Sequence, residues 1–291
     1  ASDVYKRQDM SGELLFQLNA RGQGPGEYTD INAFAVNASL HQLVIYDNMK
    51  QSLMFYSTED GRFVKSEKFN KPTPAEIAYW GGYFFYHNRL HRNYQDDISL
   101  HYYLLASKDG ITIGKRYFKH ENNKEDYPFS PSGHNLYDNN SKLYYCRDFD
   151  NIVYQIHEDS VVPRFRINLP NPLPASMIEE RPNEMSLLRS GYSLGITDIY
   201  EYGGLLFFRF VKDGYIWSCL YNVEESKQVY CAKRIKFLDS SLIDTIDGIY
   251  KDCFYSILTP EYLDYAFSEN PLEDYPDLFK TYDVEGDNPV I

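Results

Sequence analysis

The sequence has no run of 18 apolar residues, so no segment reads as a membrane-crossing helix. It has four cysteines, and none forms a CxxC pair, which leaves no zinc-knuckle spacing. Positive charge is scarce: 29 Lys and Arg stand against 42 Asp and Glu, a formal net charge of −13, which argues against a nucleic-acid partner. There is no GxSxG, so a serine nucleophile has no anchor. No cofactor or metal signature is present. What the chain does have is aromatics, 28 Tyr and 18 Phe in 291 residues, and these favour strands over helices. The acidity is unevenly placed. From Asp239 onward thirteen acidic residues face two lysines, which reads as a solvated acidic surface, a cation-binding tail being the rarer alternative.

Two cysteines suggest a pairing. Cys219 and Cys231 lie on "YIWSCLYN" and "VYCAKRI", joined by the polar "VEESKQ". A hairpin centred near Glu225 sets them opposite each other, either as a cross-strand disulfide in an oxidising compartment or as two neighbouring buried thiols.

The chain repeats. "DMSGELLFQL", "TEDGRFVKSEKF", "SKDGITIGKRYF" and "HEDSVVPRFRINL" each place a polar turn before an alternating strand. Their turn residues Gly12, Gly61, Gly110 and Ser160 are spaced by 49, 49 and 50 residues. The next turn, at Glu225–Ser226, comes 66 residues later, and the insertion "PASMIEERPNEMSLLRSG" (174–191) accounts for the excess as a short helix. Ahead of each turn stand further apolar runs such as "SLMFYS" and "QLVIYD", giving four short strands per period. Asp-Gly is a hairpin signal. Four antiparallel strands every 40–50 residues describe a β-propeller blade, with a β-sandwich as runner-up because a sandwich needs no fixed period.

The expected fold is all-β: a six-bladed propeller in a single domain over 9–291, with blades near 9–18, 32–69, 75–118, 134–169, 196–237 and 246–291, the first and last incomplete. The expected cores are Phe34, Val44, Tyr46, Leu53, Phe55, Phe84, Tyr86, Leu104, Tyr144, Val153, Phe207 and Trp217, or their alternates on the opposite face.

"RGQGPGEY" (21–28) has the glycines of a phosphate loop but not its chemistry. Glu27 and Tyr28 stand where Lys and Ser/Thr would be needed, and Gly22, Gly24 and Gly26 miss the GxGxxG spacing. It reads as a corner carrying the chain from an outer to an inner strand, stiffened by Pro25 and pinned by an Arg21–Glu27 pair. Arg21, Glu27 and Tyr28 are also candidates for a ligand site.

This corner after "DMSGELLFQL", with the terminal "DNPVI", resembles the six-bladed β-propeller proteins of Bacteroidota, which typically carry a GxGPGEY corner and a DNPV-type segment entering the last strand. The resemblance covers essentially the whole chain. It implies an exported or lipid-anchored protein of the cell envelope, periplasmic or on the outer-membrane surface. It brings no catalytic residues.

In such a fold the long segments 88–100, 119–133, 170–195 and 259–289 fall on one face, the usual layout of a binding surface. The loop "HNRLHRNYQDD" (87–97) holds His87, Arg89, His91, Arg92 and Tyr94, and "HENNKEDYPFSPSGHN" (120–135) adds Tyr127, Phe129 and His134. They suit a basic, aromatic rim for an anion or glycan better than a metal site, because no Glu completes an HExxH. Sugar hydrolysis would need two facing carboxylates, for which the inner strands supply Glu76, Asp198 and Glu201. The expected function is therefore a non-catalytic envelope propeller binding a protein or glycan partner. The alternative is a polysaccharide or peptide hydrolase or lyase working at the channel mouth. Residues 1–8, "ASDVYKRQ", resemble a translated scar and are expected to stand outside the fold, with native sequence and any lipid anchor missing before them.

Overall fold

The computed structural model describes residues 5–9, 13–69, 73–88, 101–120, 130, 133–180, 182–233 and 246–269. The chain divides into two compact units, Ala1–Pro128 with His157–Val161, and Phe129–Ile156 with Val162–Ile291. Every strand pairing within the sheets is antiparallel and between sequence neighbours, which needs only short connections.

The first unit holds β1 (Tyr5–Gln8), β2 (Leu14–Leu18), β3 (Ile31–Asn37), β4 (Gln42–Asp47), β5 (Ser52–Ser57), β6 (Phe63–Lys68), β7 (Pro74–Trp80), β8 (Tyr83–Asn88), β9 (Tyr102–Ser107) and β10 (Lys115–Lys119). β3–β6 and β7–β10 are four-stranded sheets, and β1–β2 is a two-stranded one. One core packs Ala33, Ala35, Val44, Tyr46, Leu53 and Phe55 against Ile77, Phe84, Tyr86 and Leu105. A second core, on the opposite face of β4 and β5, packs Leu43, Ile45, Met54 and Tyr56 with Leu18 and Tyr28. The central strands are thus buried on both faces, and each large apolar side chain contributes about 1.5–3 kcal/mol.

Most of the expected core residues are buried, but Phe34 is 56% exposed. A register shift between Ile31 and Ala33 accompanies this, with Ala33 and Ala35 standing opposite Tyr46 and Val44 and taking the buried positions. Residues 5–8 pair with β2 from Tyr5↔Leu18 to Gln8↔Leu14. Strand pairing uses backbone groups, so a polar, charged segment can occupy this place.

The second unit holds β11 (Leu136–Asp138), β12 (Leu143–Tyr145), β13 (Ile152–Ile156), β14 (Val161–Arg166), α1 (Ala175–Glu179), α2 (Glu184–Leu188), β15 (Ser193–Tyr202), β16 (Leu205–Lys212), β17 (Tyr215–Asn222), β18 (Lys227–Ala232), β19 (Gly248–Tyr250), β20 (Cys253–Tyr255) and α3 (Pro260–Glu269). β11–β14 and β15–β18 form four-stranded sheets, and β19–β20 a pair. Their core joins Tyr137, Tyr144, Cys146 and Val153 to Ile196, Ile199, Leu206, Phe208 and Phe210. Trp217 packs at its margin, partly exposed rather than central.

The insertion contains two helices rather than one. Pro182 lies between them and cannot continue a helix, and the Asn183 side chain caps α2 by accepting from Ser186 N at 2.9 Å. Helix α3 was not expected. Its start is nonetheless written in the sequence: Thr259 accepts from Tyr262 N at 3.3 Å, Pro260 occupies the first turn, and Glu261 follows.

Cys219 and Cys231 are direct cross-strand partners with Cα atoms 4.1 Å apart, joined as a disulfide. Cys146 and Cys253 are free. Thiol titration of the unfolded, unreduced chain should therefore find two thiols, rising to four on reduction. Closing a loop of this size is worth about 3 kcal/mol, so a Cys219→Ser/Cys231→Ser chain should melt lower than wild type. Four thiols before reduction would contradict the bond.

Candidate functional site

The glycine-rich corner closes on itself. Tyr28 N donates to Ala20 O and Gly22 N to Tyr28 O, each at 2.8 Å. The Glu27 carboxylate accepts from Gly24 N at 2.7 Å, so the loop's own anion sits on the amide that a phosphate would seek. Lys50 Nζ donates to the carbonyls of Gly24 and Glu27, and the Tyr56 hydroxyl donates to Gly26 O at 3.1 Å. A Cβ on Gly22 would lie 2.0 Å from Glu27 Oε2, which makes glycine a matter of space there. The expected Arg21–Glu27 pair is not formed. Glu27 turns inward to the amide, and Arg21 remains exposed. Tyr28 is fully buried and packs with Leu18, Leu43, Ile45, Met54 and Tyr56. Glu27→Ala should cost about 1 kcal/mol through the lost charge-assisted hydrogen bond, read as a lower urea midpoint; an unchanged midpoint would mean that the carboxylate does not hold the corner.

The carboxylate candidates fall apart into separate settings. Glu76 lies on β7 in the first unit, while Asp198 and Glu201 lie on β15 in the second. Glu201 is the most engaged. Lys142 Nζ and Arg164 Nη2 each donate to it at 2.8 Å, and the hydroxyl of buried Tyr144 donates as well. Its own amide donates to Asn139 Oδ1 at 2.6 Å. Burial alone would raise the Glu201 pKa, but the hydrogen bonds from Lys142, Tyr144 and Arg164 outweigh it and hold the carboxyl below its usual value. A general acid needs the opposite shift. Asp198, in left-handed backbone at φ 51°, accepts from Arg209 Nε at 2.7 Å and from Thr197 Oγ1 at 2.8 Å. Both carboxylates thus serve as the anionic halves of ion pairs.

Arg89, His91, Arg92, Tyr94, Tyr127 and Phe129 lie outside the described residues, as do most of segments 88–100 and 119–133 and all of 259–289 beyond Glu269. His87 is buried at the end of β8, and His134 is exposed, its carbonyl accepting from the Tyr137 hydroxyl. Among the described residues no group of three His, Cys, Asp or Glu is placed to hold a metal ion.

Sequence reasoning did not single out the surface at the β16–β17 end of the last four-stranded sheet. Tyr215 and Trp217 alternate along β17 and so share a face. The Lys233 ammonium lies 3.5 Å from the Tyr215 ring centroid and 5.8 Å from that of Trp217. The signal in the sequence is the Y-x-W alternation of Tyr215 and Trp217, of which only Trp217 is named above, as core.

The model of the family described as a domain of unknown function, DUF4934, matches residues 9–291. The chain belongs to this family. No curated protein matches it. The DUF4934 chain is similar to the crystal structure of a Bacteroides fragilis protein inferred to be exported, over 99% of this chain and 83% of that one, with a TM-score of 0.78 and 16% identity. That likeness shows the fold. A member of the duf4221 family from Bacteroides vulgatus matches over 76% of this chain and 72% of its own, with a TM-score of 0.47 and 9% identity. BamB from Moraxella catarrhalis matches over 78% and 58%, with a TM-score of 0.44 and 7% identity. Likenesses at that level carry no argument about function.

Proposed function

We propose that this DUF4934 chain is a non-catalytic β-propeller of the cell envelope that binds a protein or glycan partner through the sheet ends where its long connections gather. In this reading six sheets surround one axis, β1–β2 and β19–β20 marking the incomplete blades. The likeness to a Bacteroides protein inferred to be exported supports the envelope location. The observation that carries the non-catalytic reading is the engagement of both β15 carboxylates by cations. Glu201 is held by Lys142 and Arg164, and Asp198 by Arg209, so neither stands ready as acid or nucleophile.

The test is retention of envelope extract on the immobilised chain, with the eluate analysed for intact protein and glycan. Met185 is exposed on α2 within the long segment 170–195. Met185→Asp should reduce retention of the same intact partner. Release of cleaved polysaccharide or peptide, abolished by Glu201→Gln in a chain that remains folded, would overturn the reading.

A further inference from the structure

We propose that Tyr215, Trp217 and Lys233 form a stacking platform for a carboxylate-bearing sugar of the uronic-acid class. This rests on the binding reading above and names the ligand chemistry of one site within it. Three observations converge in the sheet β15–β18. First, Tyr215 and Trp217 lie on one face of β17, and Trp217 is backed by Phe210, with ring centroids 6.2 Å apart and planes within 11°. The buried Phe210 fixes the indole plane, so the platform is organised before any ligand arrives. Second, Tyr215 is 54% exposed, and among the described residues it shares that standing with few aromatics, Phe34, Tyr250 and Tyr265. The side of the Tyr215 ring that Lys233 does not cover suits the C–H face of a pyranose ring.

Third, the platform is cationic in an acidic chain. Lys233 sits over Tyr215 and has no carboxylate partner among the described residues, although the chain carries a net charge of −13. Lys212 stands directly opposite Tyr215 in the ladder and adds a second positive group to the same row. The nearby turn carboxylate, Asp213, lies against Gly191. Aromatic rings for stacking and two ammonium groups for a carboxylate together fit an acidic sugar better than a neutral sugar or a purely acidic peptide.

The full chain would be titrated with hexagalacturonate, maltohexaose and hexaglutamate, following tryptophan fluorescence and heat. Hexagalacturonate is expected to bind at least tenfold more tightly than either of the others, and to weaken as salt rises. Tyr215→Ala and Lys233→Gln should each weaken it tenfold or more, while Tyr215→Phe and Lys233→Arg stay within threefold of wild type. Thermal midpoints of all four variants should match wild type, because these side chains lie at the surface. No binding of hexagalacturonate, equal binding of the neutral sugar or the peptide, or indifference to the two disruptive substitutions would overturn the site. Envelope retention that survives Tyr215→Ala would overturn this platform while leaving the general binding reading in place.

Discussion

Gly195→Ala should lower the stability of the chain by about 4 kcal/mol, the larger of the two strongest expected effects. Gly195 sits in a register shift of β15 between Ser193 and Ile196, with φ at 105°. An alanine there carries about 1–3 kcal/mol of backbone strain. Its Cβ would also lie 2.8 Å from Phe149 Cα and 2.9 Å from Phe149 N. Those are backbone atoms and cannot swing aside as a side chain would, so overpacking adds about 1–3 kcal/mol. The sum is a large fraction of the roughly 5–15 kcal/mol that holds a typical protein folded. Urea unfolding would show it as a markedly lower midpoint. Gly133→Ala is the control: it meets nothing within 4 Å and should stay within about 0.5 kcal/mol of wild type. A Gly195→Ala midpoint near wild type would mean that β15 does not approach Phe149 as described.

Glu201→Gln should cost about 2 kcal/mol at neutral pH. Breaking a buried pair typically costs 3–5 kcal/mol because a charge is left uncompensated. Here the carboxylate is only 9% exposed, but Lys142 and Arg164 are each about a third or more exposed, and water compensates part of the loss. The pH dependence has a definite sign. The folded carboxyl lies below its ordinary value of 4.5, so its contribution is fully present above that value and is lost as pH falls through the folded pKa. The gap between wild type and variant, measured by thermal midpoint from pH 7 downward, should therefore hold to about pH 5 and close below it. A gap that widens in acid would contradict the assignment.

The repeat was legible because hairpin turns need particular residues. Gly61 and Gly110 take φ of 73° and 85° between β5 and β6 and between β9 and β10, where Asp-Gly signalled a turn. The buried faces of β4 and β5 were not legible. "QLVIYD" and "SLMFYS" are apolar throughout because both sides are covered, so alternation carries no information. Strand β15 hid its two register shifts, since a bulge breaks the two-residue period that would announce the strand. Helix α3 was written plainly in Thr259-Pro260-Glu261, but the expectation of a further blade masked it. The setting of Glu201 could not be foreseen. Its partners Lys142, Tyr144 and Arg164 stand 59, 57 and 37 residues away, and no local spacing links them. The same holds for Lys233 over Tyr215, which depends on the β17–β18 register rather than on sequence distance.

The central claim is that the chain binds an envelope ligand and leaves it unaltered. The most direct measurement is mass spectrometry of envelope polysaccharide and peptide fractions after prolonged incubation with the full chain. The account predicts an unchanged mass distribution, with part of the material bound to the protein. New, smaller products that vanish when Glu201→Gln replaces the wild-type chain would contradict it.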